Sequence, residues 1–484
     1  MIAAVTLATT VSCSSSADNA ASTFVTTNDS GVVASDALSV IVDTDVSLDD
    51  ALAILYMLRR PDIDIRAITV TGTGVVRCEA GVSIVLGLLA VSSRQSVPVA
   101  CGSETPLEGD NSFPSEWRDA RDKMANAGVL SDGGEPSPLS ASDLIAAAAA
   151  DSPTPATVVL LGPHTNFAQA LRDHDDLEPM LAAVHMMGGA LDVPGNTIDN
   201  LEAEWNLWID PVANAEVFAT DLPLTIVPLD ATDSVPLTEP LAALLEANQS
   251  TPEAKATVAL LRLDPGTTTS GLFMWDQLAV VALVEPHIVT FSDLDVEVSA
   301  SLDPTDSGTL TAGSGRRARV ANGANRVAFE TEYVATLTGL DLGAAPAASA
   351  EKLAYIAQAD AVCSAQQAKV VAIYTSVDGG PGPDEQPTAE FMLDVWTQLR
   401  PLYQEQVDAL RAIAPPPEDE EALSTLFEAF EQAFGDIDAL IDAAVAGDQA
   451  ALDQLTGNSA EGNPFQAVEQ QAQVYGFSAC AGAG

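Results

Sequence analysis

Residues 42–50 read VDTDVSLDD and carry four aspartates within eight positions: Asp43, Asp45, Asp49 and Asp50. An apolar run, residues 38–42, leads into this stretch, and a run with helical periodicity, residues 51–58, follows it. The pattern predicts a buried strand, a carboxylate-rich turn and a helix. Because four carboxylates at the end of one strand would repel one another, the stretch indicates a hard cation held by oxygen ligands.

Apolar runs alternate with helical patterns from Ala37 to about Pro240. After the first strand, five more are predicted at 65–70, 97–100, 156–161, 184–187 and 224–229. Their hydrophobicity is continuous, which is typical of strands covered on both faces. The sequence therefore predicts an α/β fold with a mostly parallel central sheet flanked by helices. Ligands of such sheets bind at the carboxyl ends of the strands, where the acidic stretch is expected.

The composition limits the class of partner. The chain has 484 residues, with 69 Asp and Glu against 19 Lys and Arg, and a formal net charge of −50. Such a surface repels phosphate polymers and anionic membranes, which excludes nucleic acid as a partner and favours a neutral small molecule. The charge itself is typical of solubility or of adaptation to salt.

The first 35 residues are expected to be a signal and a flexible tether. Residues 1–13 form a short apolar segment that ends in a small residue and Cys13, and they resemble a bacterial lipoprotein signal with Cys13 as the lipidated residue. Residues 14–35 are rich in Ser, Thr, Asn and Asp, which is typical of a tether. No Lys or Arg precedes Arg59, so the usual basic segment is missing. The prediction is an exported, extracellular protein anchored to the membrane through its lipid; the alternative is a disordered cytosolic tail.

The cysteines fit an exported protein. With Cys13 lipidated, four remain, and four allow three pairings. Cys78 and Cys101 follow successive predicted strands, whereas Cys363 and Cys480 bracket the end of the chain. We expect the disulfides Cys78–Cys101 and Cys363–Cys480, with free buried thiols as the alternative.

The acidic stretch, Asp-Thr-Asp-x-x-x-Asp-Asp after a first strand, resembles the signature of the nucleoside hydrolase family of the inosine-uridine preferring type. Further blocks match that family in the same order: LLGPHTN at 160–166, MMGGA at 186–190 with GN at 195–196, AEWNLWIDP at 203–211, and FMWDQLA at 273–279. The resemblance covers about residues 36–342. It implies a nucleoside hydrolase-like α/β domain over 36–342 that uses calcium to hydrolyse the N-glycosidic bond of ribonucleosides to ribose and free base.

The resemblance also implies a metal site. The side chains of Asp45, Asp50 and Asp276 and the backbone carbonyl of Leu161 would hold Ca²⁺. Asp45 would take the proton of the attacking water, and Asp43 would help to hold the metal ligands in position without binding the metal itself.

The sugar contacts are carried over in the same way. Asp49, Asn196, Glu204 and Asn206 occupy the places that bind ribose hydroxyls in the family. Trp275 stands where many members have a histidine that protonates the leaving base. The purine-preferring branch has Trp there, stacked on the base, so the resemblance implies a preference for purine nucleosides.

Three other positions bear on the site. Thr73, in the loop after the second strand, replaces the asparagine that the family commonly has there. His164 replaces an apolar residue, and no chemistry is assigned to it. Trp117 lies in a polar loop after the third strand and is expected to be either a lid over a planar ligand or an anchor of that loop.

The end of the chain has a different character. Residues 288–337 are predicted to form shorter strands around a turn-rich centre at 303–308, and 343–348 read as a linker. Residues 350–484 are predicted to be a separate all-α bundle, with helices at about 350–375, 389–413, 418–445, 448–456 and 464–476. The sequence does not reveal its role; a docking module and a passive appendage are both open.

Two other functions share features with this sequence. A phosphotransferase of the haloacid dehalogenase type also has Asp-x-Asp after its first strand, but it needs a Gly-Thr after the pair and a phosphate-binding lysine. Here Val46 and Ser47 follow, and the chain has only four lysines, Lys123, Lys255, Lys352 and Lys369. The alternative from another class is a catalytically inactive nucleoside- or sugar-binding lipoprotein. Self-association into a homo-oligomer and a substrate that is another N-riboside stay open.

Overall fold

The computed structural model describes residues 34, 37–130, 133–263, 272–342, 350–376 and 389–446, together with 465, 468, 471–472 and 475–477. Apart from Ala34, the expected signal and tether, including Cys13, lie outside the described residues, as do the helix expected at 448–456 and most of the one expected at 464–476. The strands and helices of the fold are those of these described residues.

The α/β part is organised around one nine-stranded sheet with the order β3-β2-β1-β4-β5-β6-β9-β7-β8. Its strands are β1 (Leu38–Thr44), β2 (Ile63–Val70), β3 (Val99–Cys101), β4 (Ala156–Leu160), β5 (Leu181–Met187), β6 (Leu224–Val227), β7 (Val289–Val298), β8 (Leu310–Ala312) and β9 (Arg316–Ala324). β1 to β6 are all parallel, β9 joins β6 in parallel, and β7 runs antiparallel to β8 and β9. The mostly parallel α/β sheet predicted from the sequence is confirmed.

The strand order puts the acidic stretch at the point where the chain changes direction along the sheet. From β1 the chain adds β2 and β3 on one side, then returns to place β4 on the other side of β1. Asp43 of β1 is paired with Thr69 of β2 and with Leu160 of β4. The loops that leave β1 and β4 therefore diverge and open a crevice at the carboxyl edge, which is the usual ligand position in this architecture.

Helices cover both faces of the sheet, and each face has its own apolar core. Side chains of β1 alternate between the two cores: Val40 and Val42 join one, and Ile41 joins the other. The helices of this part are α1 (Leu48–Arg59), α2 (Cys78–Val91), α3 (Ser115–Arg121), α4 (Ala141–Ala150), α5 (Thr165–Asp173), α6 (Trp205–Ile209), α7 (Pro211–Phe218), α8 (Leu229–Thr232), α9 (Glu239–Ala247), α10 (Pro252–Leu261), α11 (Trp275–Val284) and α12 (Arg326–Thr338).

Two local predictions were wrong. Residues 326–337, expected to be strand, form α12: Asn325 caps it by accepting a hydrogen bond from the amide of Ala328 at 3.1 Å, and Phe329, Tyr333 and Leu337 recur at a spacing of four on its buried face. The polar loop expected around Trp117 contains the helix α3. At seven residues, α3 is too short for periodicity to reveal it.

The C-terminal region is helical, as predicted. It contains α13 (Ala350–Ser376), α14 (Ala389–Arg411) and α15 (Glu420–Val445), which share a core of their own that includes Tyr355, Val395 and Phe434. Cys363 is buried in this core and is disulfide-bonded, whereas its expected partner, Cys480, lies outside the described residues. Within the described ranges, no helix has both the length and the hydropathy required to cross a bilayer.

The predicted disulfide Cys78–Cys101 is confirmed and joins the first residue of α2 to the last residue of β3, with Cα atoms 5.6 Å apart. It also touches the loop that follows β2, because a Cβ added at Gly72 would lie 2.8 Å from the Cys78 sulfur. The bridge thus ties the edge of the sheet to a loop that borders the acidic stretch.

Replacing both Cys78 and Cys101 with serine is expected to lower the free energy of unfolding by about 3 kcal/mol, because a bridge closing a loop of this length restricts the unfolded chain. Urea unfolding of the oxidised full-length protein and of the double variant measures the difference. Both proteins retain Cys363, so the comparison isolates this bridge. An unchanged midpoint with an unchanged slope would contradict the expectation.

Candidate functional site

The turn after β1 folds back so that its own backbone binds a carboxylate of α1. Asp50 accepts hydrogen bonds from the amide of Asp45 at 3.2 Å, from the amide of Ser47 at 3.0 Å and from the hydroxyl of Thr44. The turn requires Val46 to adopt φ +60°, a left-handed conformation that costs a β-branched residue about 1–2 kcal/mol. This local strain is compensated by the contacts that fix the positions of Asp45, Asp49 and Asp50.

Three carboxylates meet at this turn. Asp49 and Asp50 from the first turn of α1 and Asp276 from the first turn of α11 each offer an oxygen, and these oxygens lie within 4.8 Å of one another. Asp50 and Asp276 are buried, and Asp49 is half-buried. Burial, and for Asp50 and Asp276 also the neighbouring carboxylates, raises the pKa of all three. We call these three residues the carboxylate cluster; it joins two helices that are far apart in sequence.

Asp45 lies beside the carboxylate cluster and is held from the other side. Its Oδ2 accepts a hydrogen bond from the amide of Val75 at 2.8 Å. A Cβ added at Gly74 would lie only 2.0 Å from the Cβ of Asp45, so glycine is required there for the loop to approach. Burial raises the pKa of Asp45 to about 6. The sequence grouped Asp45 with Asp50 and Asp276, whereas the structure brings Asp49 into that group.

Asp43 lies within strand β1, just before the acidic turn. Its Oδ1 accepts hydrogen bonds from the Thr69 hydroxyl at 2.6 Å and from the Asn166 amide at 2.8 Å. Its Oδ2 is buried without a hydrogen-bond partner among the described residues, and burial raises the pKa of this carboxyl to about 7. Leu161 lies next to it: the Leu161 amide donates to the Asp43 carbonyl at 2.8 Å, and the Leu161 carbonyl accepts from the Asn206 side chain at 3.2 Å.

Of the four residues expected to contact the sugar, Asp49 belongs to the carboxylate cluster, and the other three divide into two groups. Glu204 and Asn206 are buried at the start of α6, where Glu204 accepts hydrogen bonds from the amides of Asn206 at 2.9 Å and Gly189 at 3.1 Å. Burial raises the pKa of Glu204 to about 7, and the charge of Asp45 raises it further. Asn196 is exposed, and its side-chain oxygen accepts from the amide of Trp205 at 3.1 Å. Glu204 and Asn206 thus lie near the acidic turn, and Asn196 lies on the solvent side.

Aromatic side chains border the site. Trp275 precedes Asp276 and is partly buried, with an indole N–H that has no acceptor among the residues described. Trp117 is 46% exposed on α3, and its ring lies 5.5 Å from that of Trp205. Phe113 stacks on the same Trp205 at 4.6 Å. The sequence singled out Trp117 and Trp275 but missed the central position of Trp205, which its place next to Glu204 would have indicated.

Thr73 belongs to a hydroxyl network. Its Oγ1 lies 2.9 Å from that of Thr71 and 3.1 Å from that of Thr165, and Thr165 donates to Asp210 at 2.8 Å. Thr73 is buried, so its hydroxyl connects the loop after β2 to the start of α5. This contact gives Thr73 a structural part in place of the asparagine expected from the family pattern.

His164 is fully buried, and the side chain of Asn214 is the hydrogen-bonding neighbour of its ring. Burial lowers its pKa to about 3, so the imidazole is neutral in the folded protein at ordinary pH. In the unfolded chain the ring would take up a proton below about pH 6.5. His164 therefore stabilises the fold above that pH, and this contribution is lost as the pH falls from about 6.5 toward 3.

We expect His164→Leu to weaken the acid sensitivity of the fold. Between pH 7 and pH 5.5, the free energy of unfolding of the native protein should fall about 1 kcal/mol more than that of the variant, since only the native chain gains a proton at this position on unfolding. Urea unfolding at both pH values measures the difference. His287→Gln is the matched control, because His287 is exposed; an equal pH response of the native protein and His164→Leu would contradict the expectation.

Comparisons with known proteins agree with this geometry. A sequence model described as inosine-uridine preferring nucleoside hydrolase matches residues 40–331, more than half of the chain. The chain is 33% identical over 196 residues to the pyrimidine-specific ribonucleoside hydrolase RihA of Citrobacter koseri and, over the same length, to that of Escherichia coli strain SMS-3-5. These matches cover 40% of this chain and 61% of each relative's length.

Solved structures show the same fold. The inosine-uridine preferring nucleoside hydrolase from Bacillus anthracis superposes with a TM-score of 0.55 at 19% identity, over 63% of this chain and 100% of that one. A plant nucleoside hydrolase, PpNRh1, gives 0.55 at 25% identity, over 63% and 99%. The purine-preferring ribonucleoside hydrolase from Gardnerella vaginalis gives 0.52 at 23% identity, over 62% and 98%. With the family match, the strand order and the acidic turn in agreement, the chain belongs to the inosine-uridine preferring nucleoside hydrolase family.

Proposed function

We propose that this chain hydrolyses the N-glycosidic bond of ribonucleosides to ribose and free base, and that it uses calcium to do so. The observation that carries the proposal is the carboxylate cluster at the carboxyl edge of the sheet, with Asp45 on one side and Glu204 and Asn206 nearby. Buried carboxylates in such a group are unfavourable without a positive partner, and they are retained where a site needs them.

The donor set fits a calcium ion. Asp49, Asp50 and Asp276 offer only oxygen, the ligand type that calcium prefers, and the carbonyl of Leu161, which accepts a hydrogen bond from Asn206, is a further oxygen that could join them. No lysine, arginine or histidine forms an ion pair with these three carboxylates within 4.0 Å among the described residues. A bound calcium ion would supply Lewis-acid activation of water at this point.

The side chains of this chain do the remaining work. Asp45 has one oxygen occupied by the Val75 amide, which fixes the carboxylate so that its other oxygen can accept the proton of the attacking water. Glu204 and Asn206 offer acceptors and donors for the ribose hydroxyls. Their burial keeps bulk water away from the sugar and strengthens these hydrogen bonds as positive charge develops on the ribosyl group.

We also propose a preference for purine bases. Trp275 directly precedes Asp276 in α11, and it offers an aromatic face and an indole N–H that has no acceptor among the described residues. A large planar base gains more from stacking on such a ring than a small one does. Relatives of this chain carry names of both kinds, pyrimidine-specific and purine-preferring, so their names do not decide between the two.

Ribose release from inosine, adenosine, guanosine and uridine, measured with the purified full-length protein and calcium, tests the function. Release from the purine nucleosides, with little from uridine and none after the protein is treated with a chelator, is the expected result. Trp275→Ala should reduce the purine rates more than the uridine rate. Binding of nucleosides without any release of ribose would instead favour a catalytically inactive binding protein.

Export through a lipid anchor on Cys13 is a further proposal that rests on the sequence alone. It predicts that the mature protein starts at Cys13 and carries acyl chains. Mass spectrometry of the protein from its native membrane fraction measures both features, and a soluble product with an unmodified Cys13 would contradict it.

A further inference from the structure

A hydrolase of N-glycosidic bonds must help the base to leave, and the histidines of this chain are not placed to do so. His164 and His185 are buried, and burial lowers their pKa values to about 3 and about 4. His174 follows the end of α5 and pairs with Asp143 at 3.2 Å, and His287 follows α11. Because α5 and α11 begin at the acidic edge of the sheet, residues that follow their ends lie at the opposite edge.

A cavity of about 350 Å³, a size in the range of small-molecule sites, lies between residues 112–118 and residues 198–208. Its aromatic walls are Phe113, Trp205 and Trp208, and its cationic side chains are Arg77 and Arg118. Two of its lining residues, Trp205 and Arg118, lie close to the proposed sugar site, and the charge of Asp45 acts on Arg118. Trp205 follows Glu204 directly, and Arg118 donates a hydrogen bond to the carbonyl of Gly72, at 2.5 Å, in the loop that holds Asp45.

The two arginines differ in what they can offer a ligand. Arg77 is engaged by Asp119 at 2.9 Å and by Asp122. Arg118 has no carboxylate oxygen within 4.0 Å among the described residues, and its Nε–H is buried without an acceptor. In a chain with 69 acidic and 19 basic residues, a partly buried guanidinium with donors to spare is an uncommon feature. Leaving a buried donor unsatisfied costs about 1–3 kcal/mol, which a ligand that accepts the bond would recover.

We propose that Arg118, at the wall of this cavity, donates hydrogen bonds to the departing base and stabilises the negative charge that develops on it. This inference rests on the proposed function and names the group that assists the leaving base. The ligand class is a planar heterocycle with ring-nitrogen or carbonyl acceptors, which the aromatic walls and the guanidinium plane both suit.

The C1′–N bond breaks, and both of its electrons stay on the base nitrogen. The oxygen of water forms the new bond to C1′, and its proton passes to Asp45. Arg118 donates hydrogen bonds to the base but keeps its own protons, because a guanidinium stays charged at neutral pH. The base takes up a proton from solvent as it is released, and Asp45 returns its proton to solvent, so one water molecule is consumed in each turnover. Arg118 is a catalytic residue in this scheme because it touches the leaving group.

Leaving-group assistance has a signature that a structural role lacks. Inosine loses a poor leaving group, whereas 4-nitrophenyl β-D-ribofuranoside loses 4-nitrophenolate, which departs as an anion without help. Arg118→Gln should therefore lower kcat on inosine about 100-fold, the usual effect of removing one such donor. On the nitrophenyl riboside the same variant should lose no more than a few-fold. Arg118→Lys, which keeps the charge, should recover part of the inosine rate.

Arg121→Gln is the matched control. Arg121 lies one turn further along α3, and its charge acts on Asp49, but it does not line the cavity. We expect Arg121→Gln to change kcat on the two substrates by the same factor.

Equal losses of kcat on both substrates for Arg118→Gln, or an unchanged kcat on inosine, would overturn the assignment of Arg118. A native protein that releases ribose from neither substrate would overturn the proposed function and, with it, this inference. If Arg118→Gln does not fold, Arg118→Lys is used in its place. An unchanged ratio of kcat on inosine to kcat on the nitrophenyl riboside in that variant would overturn the assignment.

Discussion

Replacing Asp45 with asparagine is expected to lower kcat for ribose release from inosine about a thousandfold, within the range that general bases contribute. The amide keeps the size of the side chain and can still accept the hydrogen bond from Val75, so the loop around Gly74 should keep its position. What the amide cannot do is take a proton from water. The effect should therefore appear in kcat, with the KM for inosine changed only slightly.

Asp175→Asn serves as the control for Asp45→Asn, since Asp175 is exposed in the loop after α5, away from the acidic edge. The nitrophenyl riboside adds a second comparison. Loss of the general base impairs the attack of water, so kcat should fall on both inosine and the nitrophenyl riboside. If Asp45→Asn kept more than about one-tenth of the native rate, Asp45 would not be the base, because such groups contribute at least a hundredfold.

Asp276→Asn is expected to remove both calcium binding and activity while leaving the fold intact. Asp276 contributes to the carboxylate cluster from α11, and its side chain contacts Asp50, whereas Asp50 itself also binds three groups of the turn. Removing the charge of Asp276 relieves repulsion in the absence of metal, so the metal-free variant should be at least as stable as the native protein. Calcium at 100 times its dissociation constant should stabilise the native protein by about 2.7 kcal/mol and the variant by almost nothing.

Urea unfolding with chelator and with calcium measures both parts of this expectation. Asp293→Asn controls for the general effect of calcium on so acidic a chain, because Asp293 is two-thirds exposed on β7. An Asp276→Asn variant that gains as much stability from calcium as the native protein would show that the cation binds elsewhere.

Sequence patterns predicted the parallel sheet because its strands are buried on both faces and therefore read as unbroken apolar runs. The disulfide Cys78–Cys101 could be predicted because both residues follow neighbouring strands. The acidic turn was evident because four aspartates directly follow a strand. Each of these features depends on residues that are close in the sequence or on a pattern that repeats regularly along it.

The remaining features depend on geometry that a linear pattern does not contain. Asp49 joins Asp50 and Asp276 because Val46 takes a left-handed conformation, which its sequence does not favour. Arg118 reaches the site on a seven-residue helix without periodicity. In contrast, α12 was readable from the spacing of Phe329, Tyr333 and Leu337, and it was missed because the family pattern suggested strands there.

The most direct test of the calcium site is the rate of ribose release from inosine as a function of free calcium, starting from metal-free full-length protein. We expect no measurable rate without the ion and a saturable rise as calcium is added. We also expect Asp276→Asn to stay inactive at calcium concentrations that saturate the native protein. A full rate in the metal-free native protein, or an Asp276→Asn variant that follows the native calcium curve, would contradict the claim that the carboxylate cluster of Asp49, Asp50 and Asp276 holds the catalytic calcium.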